Sequence, residues 1–169
     1  GKCPSITENS DRTGMAIAQI EIAKRTIDQS TDTALNRLKW IRRNKDKQNL
    51  TNLNIDINFT NQRLASLTEV VRTSTAKKKI KDKNKEEDVF YWSEGSIAVG
   101  RIGDTSLAST RKIGTEAITV GADKFTNNNG IKGLAFRVGR NDVDIGSAGS
   151  NLDTDTYNLT YYTTSPVEG

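Results

Sequence analysis

The sequence predicts an α+β fold in which N-terminal helical segments are followed by an antiparallel meander of about four strands. In the first half, Ile20, Ile27, Ala34 and Ile41 recur every seven residues, and this spacing indicates an amphipathic helix. After residue 89 the composition changes to Gly, Ser, Thr, aromatic and β-branched residues with a period of two, which is typical of strands.

Three regions are expected along the chain. Residues 1–60 hold a helical segment and a short strand, residues 61–88 hold a second helix and a lysine-rich linker, and residues 89–169 hold the four strands. The lysine-rich stretch at about 77–88 indicates a linker or a frayed helix end. It is the clearest boundary in the sequence.

The first helical segment covers about residues 14–43. Its apolar residues form a narrow stripe of mostly small or β-branched side chains, which can pack against a partner surface. Poor helix formers interrupt the stripe at Ser30, Thr31, Asp32 and Thr33. A break in the helix near these residues is compatible with the sequence.

In residues 53–59 the spacing of the apolar residues changes from the helical period to a period of two. Apolar side chains at every second position alternate with Asn and Asp, which predicts a half-buried strand that needs a sheet edge to pair with. From residue 61 to about residue 81 the apolar residues return to helical spacing. Thr60 or Asn61 is a suitable N-cap for this second helix.

The four strands are predicted at about 90–102, 111–125, 131–143 and 154–164, and each has two different faces. One face is apolar, and its residues are Tyr91, Ile97, Val99, Ile118, Val120, Leu134, Phe136, Val138, Tyr157, Leu159 and Tyr161. The other face is small or polar, and its residues are Glu94, Ser96, Ala98, Gly100, Thr119, Gly121, Asp123, Gly133, Ala135, Arg137, Thr156, Asn158, Thr160 and Tyr162.

Strand length and the small residues of the second face favour the start of an outer-membrane β-barrel over a soluble sheet. Such a barrel turns apolar residues to lipid and small or polar residues to its lumen. The polar face is therefore predicted to face a lumen with room for a thick occupant, and the apolar face to face lipid. Long links after strands one and three and a short link after strand two are typical of the same architecture.

Four segments resemble the opening strands of the autotransporter β-domain, the translocator of type V secretion. They are residues 92–101 (WSEGSIAVGR), 118–123 (ITVGAD), 133–136 (GLAF) and 153–162 (DTDTYNLTYY). The resemblance implies a twelve-stranded barrel that is threaded by a helix. It also implies a protein that anchors in the outer membrane of a Gram-negative bacterium and exports its own N-terminal passenger to the cell surface.

By the same resemblance, the partners are outer-membrane lipid, the barrel-assembly machinery and the passenger itself. About a third of the family's strands are present, and the others are expected to follow Gly169. For the threading helix, residues 61–81 are favoured by their position next to the first strand, and residues 14–43 by length and the small-residue stripe. We favour the nearer segment and expect residues 53–59 to belong to the passenger end.

The residue types argue against an enzyme. Histidine is absent and Cys3 is the only cysteine, which excludes His-based catalysis, Cys–His nucleophiles and thiolate–imidazole zinc sites within this chain. The Gly-rich stretches lack the Gly-Lys-Ser/Thr ending of a phosphate-binding loop. We therefore expect no catalytic residues, no cofactor and no metal.

Two other functions stay open from the sequence. One is a soluble helical and β binding module that uses its basic clusters on an anionic partner, although no specific nucleic acid is expected. The clusters are Arg37, Lys39, Arg42, Arg43, Lys45 and Lys47, then Lys77, Lys78, Lys79, Lys81, Lys83 and Lys85. The other is a surface adhesin fragment whose β-region is passenger.

Overall fold

The computed structural model describes residues 6–81, 89–103, 109–146 and 149–166, with the side chains of residues 12–74 and of the three later ranges. Two helices, α1 (Ile6–Arg43) and α2 (Gln62–Lys81), precede strands β1 (Phe90–Ile102), β2 (Arg111–Phe125), β3 (Ile131–Ile145) and β4 (Ser150–Thr164). The predicted α+β fold with a four-stranded meander is confirmed. Residues 82–88, the end of the predicted linker, lie outside the described residues.

α1 is one continuous helix of 38 residues. The break in the helix that the sequence allows near residues 30–33 does not occur. The hydroxyl groups of Thr26, Ser30, Thr31 and Thr33 each donate to the backbone carbonyl four residues earlier, at 2.9, 2.7, 3.0 and 2.8 Å. The helix backbone thus satisfies these hydroxyls, and they do not open it. At a rise of about 1.5 Å per residue, α1 is roughly 57 Å long.

The strand predicted at residues 53–59 does not form. Just before it lies an isolated parallel bridge, in which Asn52 N–H donates to the Tyr91 carbonyl at 2.8 Å and Ser93 N–H donates to the Asn52 carbonyl at 2.9 Å. The chain then leaves the edge of β1 and crosses the sheet with alternate apolar side chains buried. The period of two reflects burial against a surface rather than pairing in a ladder.

The four strands form one antiparallel sheet in the order β1-β2-β3-β4. One row across it joins Gly95, Ile118, Val138 and Tyr157. Residues opposite one another in a ladder share a face, and successive residues alternate between faces. This register therefore assigns each strand residue to a face.

The link between β3 and β4 is shorter than predicted. β3 continues to Ile145 and β4 begins at Ser150, so residues 146–149 alone join them. Gly146 and Gly149 have φ angles of 67° and 79°, which glycine adopts without steric cost. The prediction of a long link here is wrong, because its polar residues continue the alternation of the strands.

Helices and extended chain pack on both faces of the sheet. α1 contacts β2, β3 and β4, and α2 contacts β2 on the opposite side. We call the first side the α1 face; it includes the row Trp92, Gly121, Ala135 and Thr160. We call the second side the α2 face; it includes the row Ser93, Val120, Phe136 and Leu159. Neither helix in the described part of the chain combines the length and the apolar character needed to cross a membrane.

Candidate functional site

The register of the sheet separates the two predicted sets of residues. Residues predicted to face a lumen lie on the α1 face, as in the row Glu94, Thr119, Arg137 and Asn158. Residues predicted to face lipid lie on the α2 face, beginning with the row that contains Tyr91, Leu134 and Tyr161. The two sets are therefore segregated in space, while lumen and lipid themselves stay predictions.

The helix on the polar face is α1, whereas α2, the segment nearer to β1, lies on the opposite side of the sheet. Which of the two threads a barrel stays a prediction. Many of the side chains of α1 that pack against the sheet are small: Ala18, Ser30, Thr33 and Ala34 are all buried, beside the larger Ile22 and Arg37. The small side chains allow the helix backbone to approach the strands closely. α2 instead places Leu64 against the α2 face.

A buried polar network ties the second half of α1 to the sheet. Arg37 donates to both carboxylate oxygens of Asp123, from Nε at 2.7 Å and from Nη2 at 2.8 Å, and Nη2 also donates to the Leu50 carbonyl at 2.8 Å. Tyr162 Oη donates to Asp123 at 2.8 Å and accepts from Trp92 Nε1 at 2.9 Å. Arg37 and Asp123 are 3% and 2% exposed, so their charges depend on each other.

Because Arg37 is bonded to Asp123, it is not available to an external anion with the rest of the first basic cluster. Its guanidinium carbon lies 5.0 Å from the ring centre of Trp40 and 5.9 Å from that of Trp92, within the range of cation–π attraction. The side chain is therefore enclosed by the fold and does not face an anionic partner. The side chains of the second basic cluster, at residues 77–85, lie outside the described residues.

Two glycines of the α1 face accommodate the aromatic side chains of this network. A Cβ atom on Gly121 would lie 2.4 Å from the Trp92 ring, and one on Gly133 would lie 2.3 Å from the Tyr162 ring. Each ring lies over a glycine of the neighbouring strand. Some of the small residues predicted on this face, Gly121 and Gly133, thus leave space for aromatic rings of the sheet itself. Others leave space for α1.

Further along α1, charged residues of the sheet bond directly to the helix. Arg137 donates to Gln29 Oε1 at 2.6 Å and to Ser96 Oγ at 3.2 Å. Glu94 forms side-chain hydrogen bonds with Asn36 and Thr33. Glu94 and Arg137, which the sequence places on one polar face, therefore both hold α1.

The first half of α1 meets an apolar part of the sheet that sequence reasoning missed. Ala18 and Ile22 pack against Ile113, Val143 and Ile145 in a cluster that excludes water. The signal was present in the sequence, because Val143 and Ile145 continue the period of two into what was predicted to be a link. Asp144, the polar residue between them, favours a loop when the sequence is considered alone.

An ion pair and a polar pair lie beside this cluster. Arg111 donates to Glu21 of α1 from Nε at 3.3 Å and from Nη2 at 3.2 Å. Thr115 Oγ1 donates to Asn141 Oδ1 at 2.8 Å. α1 is thus attached to the sheet by side chains along most of its length.

The α2 face is apolar and only partly covered. Ile118 is 3% exposed because it packs against Ile55, Phe59 and Leu64. On β3 and β4 the apolar side chains remain open; they are Leu134, Phe136, Tyr157, Leu159 and Tyr161, at 43–66% exposure. Between the covered and the open part lies a groove of about 560 Å³.

A polar border limits the apolar part of the α2 face. Arg140 donates to Asp153 at 2.7 Å and to Asp155 at 3.1 Å, and Arg63 donates to Asp155 at 3.3 Å. Glu116 accepts from the backbone N–H groups of residues 60 and 61. The apolar part of the α2 face therefore ends at paired charged residues.

The comparisons with known proteins agree with this geometry. Residues 91–168 match the family model described as autotransporter β-domain, whereas a comparison with curated proteins found no match. The family consists of translocators of the outer membrane and not of enzymes. The resemblance predicted from the sequence is confirmed for the strand region: residues 91–168 are similar to the autotransporter β-domain, consistent with a part of such a domain.

Proposed function

We propose that this chain is part of a translocator that anchors in the outer membrane and exports the passenger that precedes it, with the α1 face lining the lumen and the α2 face directed to lipid. The observation that carries the proposal is the docking of α1 along the small and polar face, through the Arg37–Asp123 pair and the Arg137–Gln29 bond. A helix on that side leaves the apolar side outward.

The exposed residues of the α2 face support contact with lipid. On a surface that faces water, about 25–35% of the residues are charged and large contiguous apolar patches are avoided. Here Tyr157, Leu159 and Tyr161 on β4 are 65–66% exposed, and they continue the apolar surface of β3. Contiguous exposed apolar surface marks contact with an apolar partner, and lipid chains provide one without a matching shape.

The direction of α1 supports the export of a passenger. Its first half packs at the end of the sheet where β1 is linked to β2, beside Ile113 and Ile145. Its last turns pack near Phe90, where β1 begins. A polypeptide on the N-terminal side of α1 would therefore emerge on the side of the link at residues 103–110, which we propose to be the cell surface.

The proposal assigns the parts of the chain as follows. Residues 1–60 hold the end of the passenger and the lumen helix, residues 61–88 hold α2 and the linker, and residues 89–169 hold strands of the barrel. The outer membrane of a Gram-negative bacterium is the location that the family supports. Outer-membrane lipid and the barrel-assembly machinery are the proposed partners.

Labelling of two neighbouring residues on β4 tests the proposal. Leu159 lies on the α2 face and Asn158 on the α1 face. In a Cys3→Ser background, Leu159→Cys and Asn158→Cys each carry a polarity-sensitive dye, and the chain is reconstituted with vesicles of outer-membrane lipid. We expect a blue-shifted emission, quenched by a lipid-soluble quencher, for the dye at 159 alone.

The result that contradicts the proposal is a chain that stays soluble and monomeric with vesicles present and shows the same emission at both positions. That result would favour the soluble binding module instead. Quenching of the dye at position 158 alone would reverse the assignment of the faces.

A further inference from the structure

Part of the apolar α2 face is covered by the chain itself. We call residues 50–74, which comprise the extended segment and the first part of α2, the strap. Three strap residues, Ile55, Phe59 and Leu64, bury Ile118 of β2 almost completely. A Cβ atom on Gly95 of β1 would also lie within 3.1 Å of strap side chains, so the strap lies close against both strands.

Specific polar contacts hold the strap in this position. Glu116 of β2 accepts from Thr60 N–H at 3.1 Å, from Asn61 N–H at 2.9 Å and from the Thr60 hydroxyl. Its carboxylate thus lies at the N-terminus of α2, where the helix dipole favours a negative charge. Arg63 adds an ion pair with Asp155 of β4 at 3.3 Å. The strap therefore has a defined register on the sheet.

The strap is unsuited to lipid. Glu69 is exposed, and the Arg63 side chain is 82% exposed although it pairs with Asp155; a charged side chain that faces hydrocarbon is costly. Residues 53–59 form no strand ladder. Arg72 donates to the Ile55 carbonyl at 2.8 Å, and lipid cannot supply partners to backbone groups that have none. The surface beneath the strap is apolar, whereas most of the residues that the strap exposes are polar or charged, with Leu67 and Val70 as its exposed large apolar residues.

The packing between the strap and the sheet is incomplete. The groove of about 560 Å³ runs between Leu53 and Ser74 of the strap and Val120, Leu134 and Phe136 of the sheet. Its walls are apolar and it opens toward the bare part of β3 and β4. A lipid acyl chain that binds the bare strands can therefore extend into this groove. There it competes with the strap for the surface of the sheet.

We propose that the strap is a detachable cover, which occupies the lipid-facing surface of β1 and β2 in water and leaves it when that surface meets lipid. This inference rests on the proposed function, because it takes the α2 face to be the lipid face. The occupant in water is residues 50–74 of this same chain. In lipid, acyl chains replace it and the strap moves to the aqueous side.

Protection of single cysteines from a thiol reagent tests the cover. In a Cys3→Ser background, Leu64→Cys reports on the strap and Ala18→Cys reports on the contact between α1 and the α1 face; the two parent residues are 2% and 0% exposed. We expect both to react slowly in detergent-free buffer. In detergent micelles we expect the cysteine at position 64 to react at least tenfold faster, while the one at position 18 stays protected.

A covalent tether between the strap and the sheet tests whether the strap must leave the sheet for the chain to bind lipid fully. Arg63→Cys/Asp155→Cys can be joined across the strap by a short bis-maleimide, and Arg140→Cys/Asp153→Cys, whose parent pair lies 2.7 Å apart, is the matched control within the sheet. We expect the joined strap pair to bind micelles and vesicles more weakly than the unjoined chain, through the bare strands β3 and β4 alone, and the joined control pair to bind as the unjoined chain does.

The outcomes separate this inference from the proposed function. If the chain binds micelles and vesicles equally well with the strap tethered and untethered, or if position 64 reacts equally in buffer and in micelles, the cover is refuted and the lipid-facing surface stands. Reaction at both positions 18 and 64 in micelles would also refute it, because the sheet and α1 would then separate together. If the untethered chain binds neither micelles nor vesicles, the proposed function fails and the cover fails with it.

Discussion

At the scale of single residues, the buried Arg37–Asp123 pair has the largest energetic consequence. Both charges are withdrawn from water, and the geometry is bidentate with a third bond from Tyr162. Removal of one partner leaves the other charge buried without compensation, which costs about 3–5 kcal/mol. This pair therefore fixes α1 on the sheet more firmly than exposed pairs can.

Asp123→Ala should lower the free energy of unfolding by about 3–5 kcal/mol, because Arg37 then stays buried without its counter-ion. Urea denaturation in detergent micelles measures the loss. The control is Asp153→Ala, which breaks a pair whose carboxylate is half exposed and should cost about 1 kcal/mol or less. Equal losses in the two variants would show that the buried network does not stabilise the fold as argued.

Gly121→Ala should be destabilising for a steric reason. Its Cβ atom would lie 2.4 Å from the Trp92 ring, whereas a Cβ atom on Gly114 of the same strand would meet its nearest atom at 3.9 Å. We expect a loss of about 1–3 kcal/mol for Gly121→Ala together with a change in tryptophan fluorescence. Gly114→Ala should leave both quantities near those of the parent, and a similar loss in both variants would contradict the ring contact.

At the scale of the element, α1 is attached through small side chains. Ala34 is 6% exposed and packs beside Trp92, Ala135 and Tyr162. Ala34→Leu should therefore lower the free energy of unfolding by about 1–3 kcal/mol through overpacking. Ala23→Leu, on the exposed side of the same helix, is the matched control, and denaturation curves of both compare them. A loss confined to Ala23→Leu would place the opposite side of α1 on the sheet.

The strands could be predicted from the sequence, whereas the conformation of residues 53–59 and the positions of the two helices could not. The alternation along the strands predicted both faces of the sheet, because a period of two follows directly from strand geometry. Residues 53–59 show its limit, since burial of alternate side chains on a surface gives the same pattern as a paired strand. The helix that lies on the polar face could be identified only from the structure, because the Arg37–Asp123 contact joins residues 86 positions apart. Local spacing carries no trace of such a pair.

At the scale of the whole molecule, the two faces of the sheet differ in what they can meet. The α1 face is filled by one helix through polar and small contacts, while the α2 face is divided between the strap and bare apolar strands. The family match covers the strands but not α1 or the strap. The placement of α1 on the polar face and of open apolar side chains on the other face is therefore a result of the structure that does not depend on the family match.

A charge placed on the bare apolar strands should weaken their partition into lipid. Leu159 is the middle residue of three outward side chains on β4 and is 65% exposed, so it would lie well inside the hydrocarbon. Leu159→Lys should reduce the free energy of partition into vesicles by about 2–4 kcal/mol. Asn151→Lys adds the same charge to the same face of β4, at its polar end, and should cost about 1 kcal/mol or less. Vesicle flotation of both variants measures the difference; equal flotation would mean that the band formed by Tyr157, Leu159 and Tyr161 does not contact lipid.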